Sequence, residues 1–357
     1  MVFALDHAEA QVASNASRRD DYFRLMPFYQ HWSQGKGAQF TQFSVPVFVQ
    51  LRFGRSLNVA MRGSQATTSG DNLQKLRGMT DTQLAFNYGL ANFIFNLGFN
   101  FPNGKRSLTY NEFLTTSLLS LNHYNFHVPS YGQGFNVSPA VTWAVPVGEN
   151  LSCGFGASYQ YKGKFNPLAF IDDYDPGDEV LLTGGLDWRA GETAKLSFDL
   201  IFTFYGTDKI KTSKVFAAGN RFVTHIQFRQ NFAHDELLLF ARYLSRGKNS
   251  LAVGGALLPE NAKSAPDQIE MMAHYSHRFN RRVAVGFLAE GRYFTTPAAV
   301  DPYSSAGIGI AGLGFSPEFM LSPIFRVPAR FKYLFGRTKS GQNLSGLEIG
   351  IGMAASF

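Results

Sequence analysis

Polar and charged side chains recur at every second position along several segments, and these rows carry the chemistry that the sequence offers. Successive side chains of a β-strand point to opposite faces, so each row shares one face. A polar row inside a β-barrel lines water or a ligand path, and a basic row favours anionic or carboxylate-bearing solutes. The predicted pore-lining set is Asp199, Arg221, His225, Gln227, Arg229, Arg242, Glu270, His274, Arg278, Glu290, Arg292, Arg326, Arg330, Lys332 and Glu348.

The same rows also have a purely structural interpretation. Four acidic members, Asp199, Glu270, Glu290 and Glu348, would pair with arginines of neighbouring strands and brace a filled interior. For any single residue, bracing is the favoured interpretation. For the set as a whole, the pattern favours a pore.

The sequence does not indicate catalysis or metal binding. Nucleophilic hydrolysis needs a nucleophile, a base and an orienting group within hydrogen-bond reach. No serine elbow or acidic dyad accompanies His225 or His274, and the single cysteine, Cys153, excludes an intramolecular disulfide and a thiolate zinc cluster. Five further histidines are scattered without metal-ligand spacing: His7, His31, His123, His127 and His234. We therefore predict no enzyme activity, no cofactor and no metal.

The rows need β-strands to position them, and the chain contains about sixteen alternating segments. In the segment 93–101, five successive outward positions are apolar, and Asn96 and Asn100 lie on the opposite face. A soluble β-sandwich also alternates, but it buries one face and rarely repeats this pattern. No stretch approaches the roughly 18 consecutive apolar residues of a membrane helix. The pattern predicts an all-β, transmembrane, antiparallel up-and-down β-barrel.

The predicted connections alternate in length, which is the outer-membrane arrangement of short turns on one side and long loops on the other. Short turns are expected near residues 54, 89, 148, 191, 234, 280 and 317, and long polar loops near 65–78, 102–134, 163–178, 206–219, 246–265 and 295–304. Aromatic residues at the turn side are predicted to form the periplasmic girdle: Phe53, Tyr88, Trp188, Phe232 and Phe279.

The last segment, 343–357, has one apolar face and one small or polar face, and it is expected to close the barrel. Ile351, Met353 and Phe357 are predicted to form the signal that the barrel-assembly machinery reads. Asp21–Trp32 is one candidate for the strand that it pairs with, giving sixteen strands. Alternatively, the N-terminal segment folds inward as a plug and the barrel has fourteen, because single-chain bacterial barrels have even strand numbers. We assign 1–20 to an N-terminal periplasmic segment and 21–357 to the barrel.

The composition is that of a cell-envelope protein. Only 17% of the residues are charged, against roughly 25% in average soluble domains, and Phe and Gly each number 35. The net charge of +7 comes without a dense basic tract interleaved with aromatics, so nucleic acid is not an expected partner. Residues 1–16 lack the basic start and apolar core of a signal peptide, so we expect a mature form or a misassigned start.

The loop 102–134 contains a segment, 111–121, that is expected to form a short helix. Phe113, Leu114, Leu118 and Leu119 would make this helix apolar enough to cap the barrel mouth or to fold into the lumen. In this role it would offer the first contact to hydrophobic cargo. The alternative is a loop that packs over the barrel rim.

Three segments together resemble an outer-membrane family associated with the meta-pathway of phenol degradation, which is related to the long-chain fatty-acid transporters of outer membranes. They are 45–59 (VPVFVQLRFGRSLNV), 78–88 (GMTDTQLAFNY) and 97–105 (LGFNFPNGK). The resemblance covers about 40–190, and the segment 174–178 resembles the family more weakly. The family usually has Thr where this chain has Asn103. The resemblance implies passive import of small, often hydrophobic or aromatic molecules, and it identifies no substrate.

The sequence therefore predicts a passive channel for small-molecule solutes in the outer membrane of a Gram-negative bacterium. Outer-membrane lipids, lipopolysaccharide and the barrel-assembly machinery are the expected partners. The competing class is a non-transport barrel that acts as a scaffold or docking partner in an envelope complex. The sequence leaves the oligomeric state open.

Overall fold

The computed structural model describes residues 21–35, 38–120, 123–295 and 307–357. In these residues the chain forms one α-helix, α1 (Tyr110–Ser120), and the following β-strands: β1 (Tyr22–Leu25), β2 (Phe28–Gln34), β3 (Ala38–Phe53), β4 (Leu57–Gly70), β5 (Leu73–Met79), β6 (Thr82–Leu90), β7 (Phe93–Phe101), β8 (Asn136–Pro146), β9 (Leu151–Lys162), β10 (Tyr174–Asp175), β11 (Glu179–Ala190), β12 (Ala194–Tyr205), β13 (Thr207–Ile210), β14 (Ser213–Ala217), β15 (Arg221–Asn231), β16 (Asp235–Arg246), β17 (Ser250–Val253), β18 (Ala256–Pro259), β19 (Gln268–Arg278), β20 (Val283–Phe294), β21 (Ile308–Met320), β22 (Phe325–Thr338), β23 (Asn343–Ile351) and β24 (Met353–Ser356).

Nineteen of these strands form one closed antiparallel sheet. Three barrel strands are each interrupted once and so consist of two elements, β1 with β2, β5 with β6, and β23 with β24. The barrel therefore has sixteen strands, each paired with its neighbours in sequence. This confirms the predicted up-and-down barrel, and the fourteen-strand alternative is wrong.

The barrel closes between its first and last strands. β2 pairs with β23 from Phe28–Gly350 to Gln34–Leu344, and β1 pairs with β24 from Tyr22–Ser356 to Leu25–Met353. Both strands are interrupted at the same level, at 26–27 and at Gly352. A Cβ at Gly352 would lie 2.3 Å from the carbonyl oxygen of Leu25, so this close approach requires glycine.

The connections differ between the two barrel ends, which we call the turn end and the loop end. At the turn end, connections of two to four residues lie at 54–56, 91–92, 147–150, 191–193, 232–234, 279–282 and 321–324. At the loop end, the connections 102–135, 163–178, 206–220 and 247–267 are long. The prediction for 295–304 lies mostly outside the described residues.

Two of the predicted connections are wrong. The segment 65–78 is not a polar loop, because β4 and β5 continue as a hairpin that turns at 71–72. Pro317 lies inside β21 rather than in a turn, and the turn follows at 321–324. Proline has no backbone N–H to donate. The pairing of β21 with β22 is interrupted between Phe315–Phe331 and Glu318–Pro328, so Pro317 is not required to donate a hydrogen bond to β22.

A small second sheet extends the loop end, with the strand order β10-β13-β14-β17-β18. It arises because the predicted loops 206–219 and 246–265 contain the hairpins β13–β14 and β17–β18. The Tyr174 hydroxyl donates to Asp208 Oδ2 at 2.5 Å, and burial together with this bond raises the pKa of Tyr174.

The outer face of the barrel is apolar. Its exposed side chains include the predicted girdle at the turn end, Phe53, Tyr88, Trp188, Phe232 and Phe279, which are 45–61% exposed. In water such a surface would be strongly unfavourable, whereas in a bilayer it is the ordinary outer face of a transmembrane β-barrel. No helix among the described residues is long and apolar enough to cross a membrane.

Candidate functional site: the barrel lumen

The connection between β7 and β8 enters the barrel at the loop end. We call residues 102–134 the lumenal segment; residues 121–122 of it are not described. Four of its side chains, Tyr124, Phe126, Val128 and Tyr131, are only 2–5% exposed. They belong to one apolar cluster with inward-facing residues of the wall: Trp32, Phe40, Leu76, Phe294, Ile310, Leu334 and Leu344.

Aromatic contacts define how this segment is seated. The ring of Tyr124 lies 5.4 Å from that of Trp32 and 5.0 Å from that of Phe40. The His127 ring stacks on Phe28 at 3.8 Å. Each fully buried large side chain contributes roughly 1.5–3 kcal/mol, so the cluster is a substantial anchor.

Two glutamines of the wall bind the segment's backbone. Gln42 donates to the carbonyl oxygen of Val128 and accepts from its amide, both at 2.9 Å. Gln30 donates to the carbonyl oxygen of Asn125 at 3.0 Å and accepts from the amide of His127 at 2.9 Å. The side-chain amides of the two glutamines thus satisfy backbone groups of the lumenal segment that no neighbouring strand reaches.

Asp81 ties the two ends of the segment together. Its carboxylate accepts from the amides of Gly104 at 2.8 Å and Gln133 at 2.7 Å, and from Asn100 Nδ2 at 2.7 Å. Asp81 is 4% exposed and lies between β5 and β6, where the strand is interrupted. A single buried carboxylate thus fixes where the chain enters and leaves the lumen.

The helix α1 begins with a capping box. The amide of Glu112 donates to Thr109 Oγ1 at 3.3 Å, and the amide of Thr109 donates to Glu112 Oε2 at 3.1 Å. Burial opposes ionisation of Glu112, but its hydrogen bonds with Lys105 and Thr109 outweigh burial and hold the pKa of its carboxyl below the usual value. Thr115 Oγ1 donates to the Gln74 carbonyl oxygen at 2.9 Å and docks the helix on β5.

The predicted lid residues divide between the two sides of α1. Leu119 is 2% exposed and joins the apolar cluster, and Leu118 packs against that cluster. Phe113 and Leu114 are 38% and 43% exposed. The helix therefore presents apolar surface at the barrel mouth while its other side is anchored.

A network of charges connects the last strands to the lumenal segment. Glu348 is 2% exposed and lies 3.3 Å from Lys332 Nζ, 3.8 Å from Arg330 Nη1 and 3.4 Å from His127 Nε2. Lys332 also lies 3.4 Å from Glu290. Burying charge is costly, and the paired arrangement offsets that cost.

The remaining members of the predicted pore-lining set occupy different environments. Arg242 pairs with Glu270 at 2.6 Å, Arg229 with Glu236 at 3.2 Å and Arg326 with Glu318 at 3.4 Å. Arg292 donates to the His123 carbonyl oxygen at 3.0 Å. Arg221 and His225 are buried, Gln227 and His274 are half-buried, and Arg278 and Asp199 are exposed.

The opposite wall of the barrel, at β8–β12, has a different surface from the wall that binds the lumenal segment. Small residues face inward there, including Ala140, Thr142, Gly156, Ser158 and Gly185. Asp187 and Lys195 form an ion pair at 2.9 Å with side chains 46% and 47% exposed. Small side chains and water-accessible charges leave room on this side of the interior.

Sequence reasoning missed Gln30, Gln42, Asp81 and His127 as parts of this site. Gln30 and Gln42 were detectable in principle, since each lies on the inward side of its strand beside large aromatic residues. The capping box Thr109–Glu112 was also a usable signal for the start of α1. In the described part of the chain, no group of three or more His, Cys, Asp or Glu side chains could hold a metal ion.

No protein-family model matches the chain, and no curated protein sequence matches it. The resemblance to the phenol-degradation family therefore stays a prediction. Among solved structures, the chain is similar to a TodX deltaS2S3 mutant monoaromatic hydrocarbon channel, with 10% identity, TM-score 0.48, and coverage of 96% of this chain and 91% of that one. It is also similar to the CymD monoaromatic hydrocarbon channel (11%, 0.49, 100% and 93%) and to Pseudomonas aeruginosa OpdQ (8%, 0.46, 96% and 100%). At these values the likeness transfers no property of those channels to this chain.

Proposed function

We propose that this protein is a channel of the Gram-negative outer membrane that passes small molecules, including hydrophobic or aromatic ones, without an energy source. The observation that carries the proposal is the two-sided interior of a closed barrel. One side holds the lumenal segment, and the wall at β8–β12 presents small side chains and exposed charges such as Asp187 and Asp199. A water-accessible charged wall is the ordinary lining of a diffusion path.

The exposed part of α1 supports the choice of cargo. Tyr110, Phe113 and Leu114 are 60%, 38% and 43% exposed at the barrel mouth. Apolar side chains at such a place give a hydrophobic solute a first contact. Within the predicted pore-lining set, we assign the lining of the path to the exposed or half-buried members, such as Asp199, Gln227 and Arg278. We assign the insertion signal to Ile351, Met353 and Phe357, which are 52–61% exposed.

A second function has an observation of its own. The lumenal segment is bound by Gln30, Gln42 and Asp81 and buried in an apolar cluster, as expected of a permanent plug. In that case the barrel is a scaffold or docking partner in the envelope, and its loop-end sheet is the accessible surface.

Liposome swelling separates these two functions. Vesicles containing the folded barrel are challenged with neutral, anionic and aromatic solutes. A channel predicts swelling, and the double variant Phe113→Ser, Leu114→Ser slows the aromatic solute while leaving a small neutral sugar unchanged. Phe170→Ser is the matched control, since Phe170 is 65% exposed in another loop. Absence of swelling with every solute supports the scaffold.

A further inference from the structure

A groove of about 850 Å³ crosses the outer face of β19–β23 near the loop end. Its floor consists of small residues on neighbouring strands, Gly291, Gly309 and Ala311, with Gly291 paired to Ala311. A Cβ added to Gly291 or Gly309 would meet nothing within 4 Å. The floor is therefore open space that no neighbouring side chain occupies.

Apolar and aromatic side chains form the two walls of the groove. Ile269, Met271 and Tyr293 stand on one side, and Tyr333 and Phe335 on the other; they are 37–60% exposed. These walls stand on antiparallel strands, and the small floor residues separate them. The groove is therefore about as wide as one row of side chains. Such a shape fits a hydrocarbon chain lying along the barrel.

The groove does not lead into the lumen. β20, β21 and β22 are paired continuously at this level, from Phe294–Ile308 and Ile308–Thr338 inward. Arg292 and Ile310, which contribute to the lining, have their side chains buried at 6% and 4% exposure on the lumenal side. The groove is thus a feature of the membrane-facing surface and separate from the proposed passage.

A positive charge marks the loop-side end of the groove. Arg337 pairs with Gly309 and Asn343 in the sheet and is exposed, and Lys339, also exposed, follows the end of β22. None of the described residues that line the groove is acidic. Cations beside an apolar groove complement a ligand with an anionic head and a hydrocarbon tail.

The depth of the groove indicates the leaflet. Gly291 lies three residues before the end of β20, which corresponds to roughly 10 Å of strand. In an outer-membrane barrel the long loops face the cell exterior, so this level belongs to the outer leaflet. Lipids there carry phosphorylated sugar heads.

We propose that this groove binds one phosphorylated glycolipid of the outer leaflet, of the lipid A class. One acyl chain lies over Gly291, Gly309 and Ala311, and a phosphate contacts Arg337 and Lys339. The assignment rests on the proposed outer-membrane location and is independent of transport.

Native mass spectrometry of the folded barrel in detergent, with added bis-phosphorylated lipid A, tests the site. We expect one retained lipid A, a loss of about tenfold in affinity (~1.4 kcal/mol) for Gly309→Trp, and a similar loss for Arg337→Gln. Leu313→Trp is the control, because Leu313 is 62% exposed on the same face of β21 outside the groove. Gly291→Trp serves as a second filling variant, and heat-modifiable migration verifies folding of each.

Three outcomes would overturn the proposal. They are equal retention by Gly309→Trp, Gly291→Trp and the Leu313→Trp control, equal retention of dephosphorylated lipid A, and equal competition by phosphatidylglycerol. A folded barrel that is silent in transport assays but retains lipid A in the expected pattern would refute the channel and support the groove. If lipid A does not bind in the groove, the result of the transport assays still stands on its own.

Discussion

Gln30 on the first barrel strand and Glu348 on the last are direct cross-strand partners, and Gln30 Nε2 donates to Glu348 Oε2 at 3.1 Å. Both residues are 2% exposed. The same amide of Gln30 binds Asn125 and His127 of the lumenal segment. The Gln30 side chain therefore links the closing strands of the barrel to the lumenal segment.

Substitution of Gln30 by Leu is expected to destabilise the barrel and loosen the lumenal segment. It removes three hydrogen bonds and leaves buried partners unsatisfied, each costing about 1–3 kcal/mol. Urea unfolding in detergent measures the loss. The control is Gln227→Leu, since Gln227 is half-buried on β15. Equal unfolding midpoints for the two variants would contradict this role of Gln30.

Glu348→Gln is expected to lower the free energy of unfolding by more than the equivalent substitution in a surface ion pair does. It leaves Lys332, Arg330 and His127 close together without their carboxylate, and breaking a buried pair costs about 3–5 kcal/mol. Glu236→Gln breaks the pair with Arg229. The Glu236 side chain is 35% exposed, so this change should lower the free energy of unfolding by under about 1 kcal/mol. Similar unfolding free energies for both would show that the Glu348 network contributes little.

Gly350→Val is expected to impair folding because of Phe28. A Cβ at Gly350 would lie 2.5 Å from the Phe28 ring, which packs over this position across the seam. The added Phe28→Ala change should restore part of the folded yield by removing the ring. Gly291→Val is the control, because open space surrounds that position. No rescue in the double variant would place the defect elsewhere.

Asp199→Lys is expected to shift ion selectivity toward anions. Asp199 is exposed on the inward face of β12, beside the proposed path. The zero-current potential in a salt gradient reports this change. Glu149→Lys makes the same charge reversal in the exposed turn 147–150 and should shift the potential less. Indistinguishable potentials would remove Asp199 from the path.

The sequence was sufficient for the barrel but not for its contents. Period-two alternation specified the strands, and the two-faced segment 343–357 indicated the closing strand, because membrane barrels must bury every strand edge. The polar composition of 65–78 wrongly predicted a loop, because polar Thr67 and Thr68 extend strand β4 beyond the apolar belt.

The seating of the lumenal segment was beyond sequence reasoning for a physical reason. Gln42 and Val128 are 86 residues apart, and Gln30 and His127 are 97 apart, so no local pattern links them. The reason for glycine in the last strand was likewise not predictable from the local sequence. Gly346 and Gly350 are small because the rings of Trp32 and Phe28 occupy the space beside them.

Single-channel current across planar bilayers tests the central claim, a passage beside a bound lumenal segment. The wild-type barrel is predicted to give discrete, stable openings. Gln42→Leu, which removes both bonds to Val128 and the bond to Thr68, is predicted to give larger or more frequent ones. Silence of both folded, heat-modifiable proteins would contradict the channel and leave a plugged barrel.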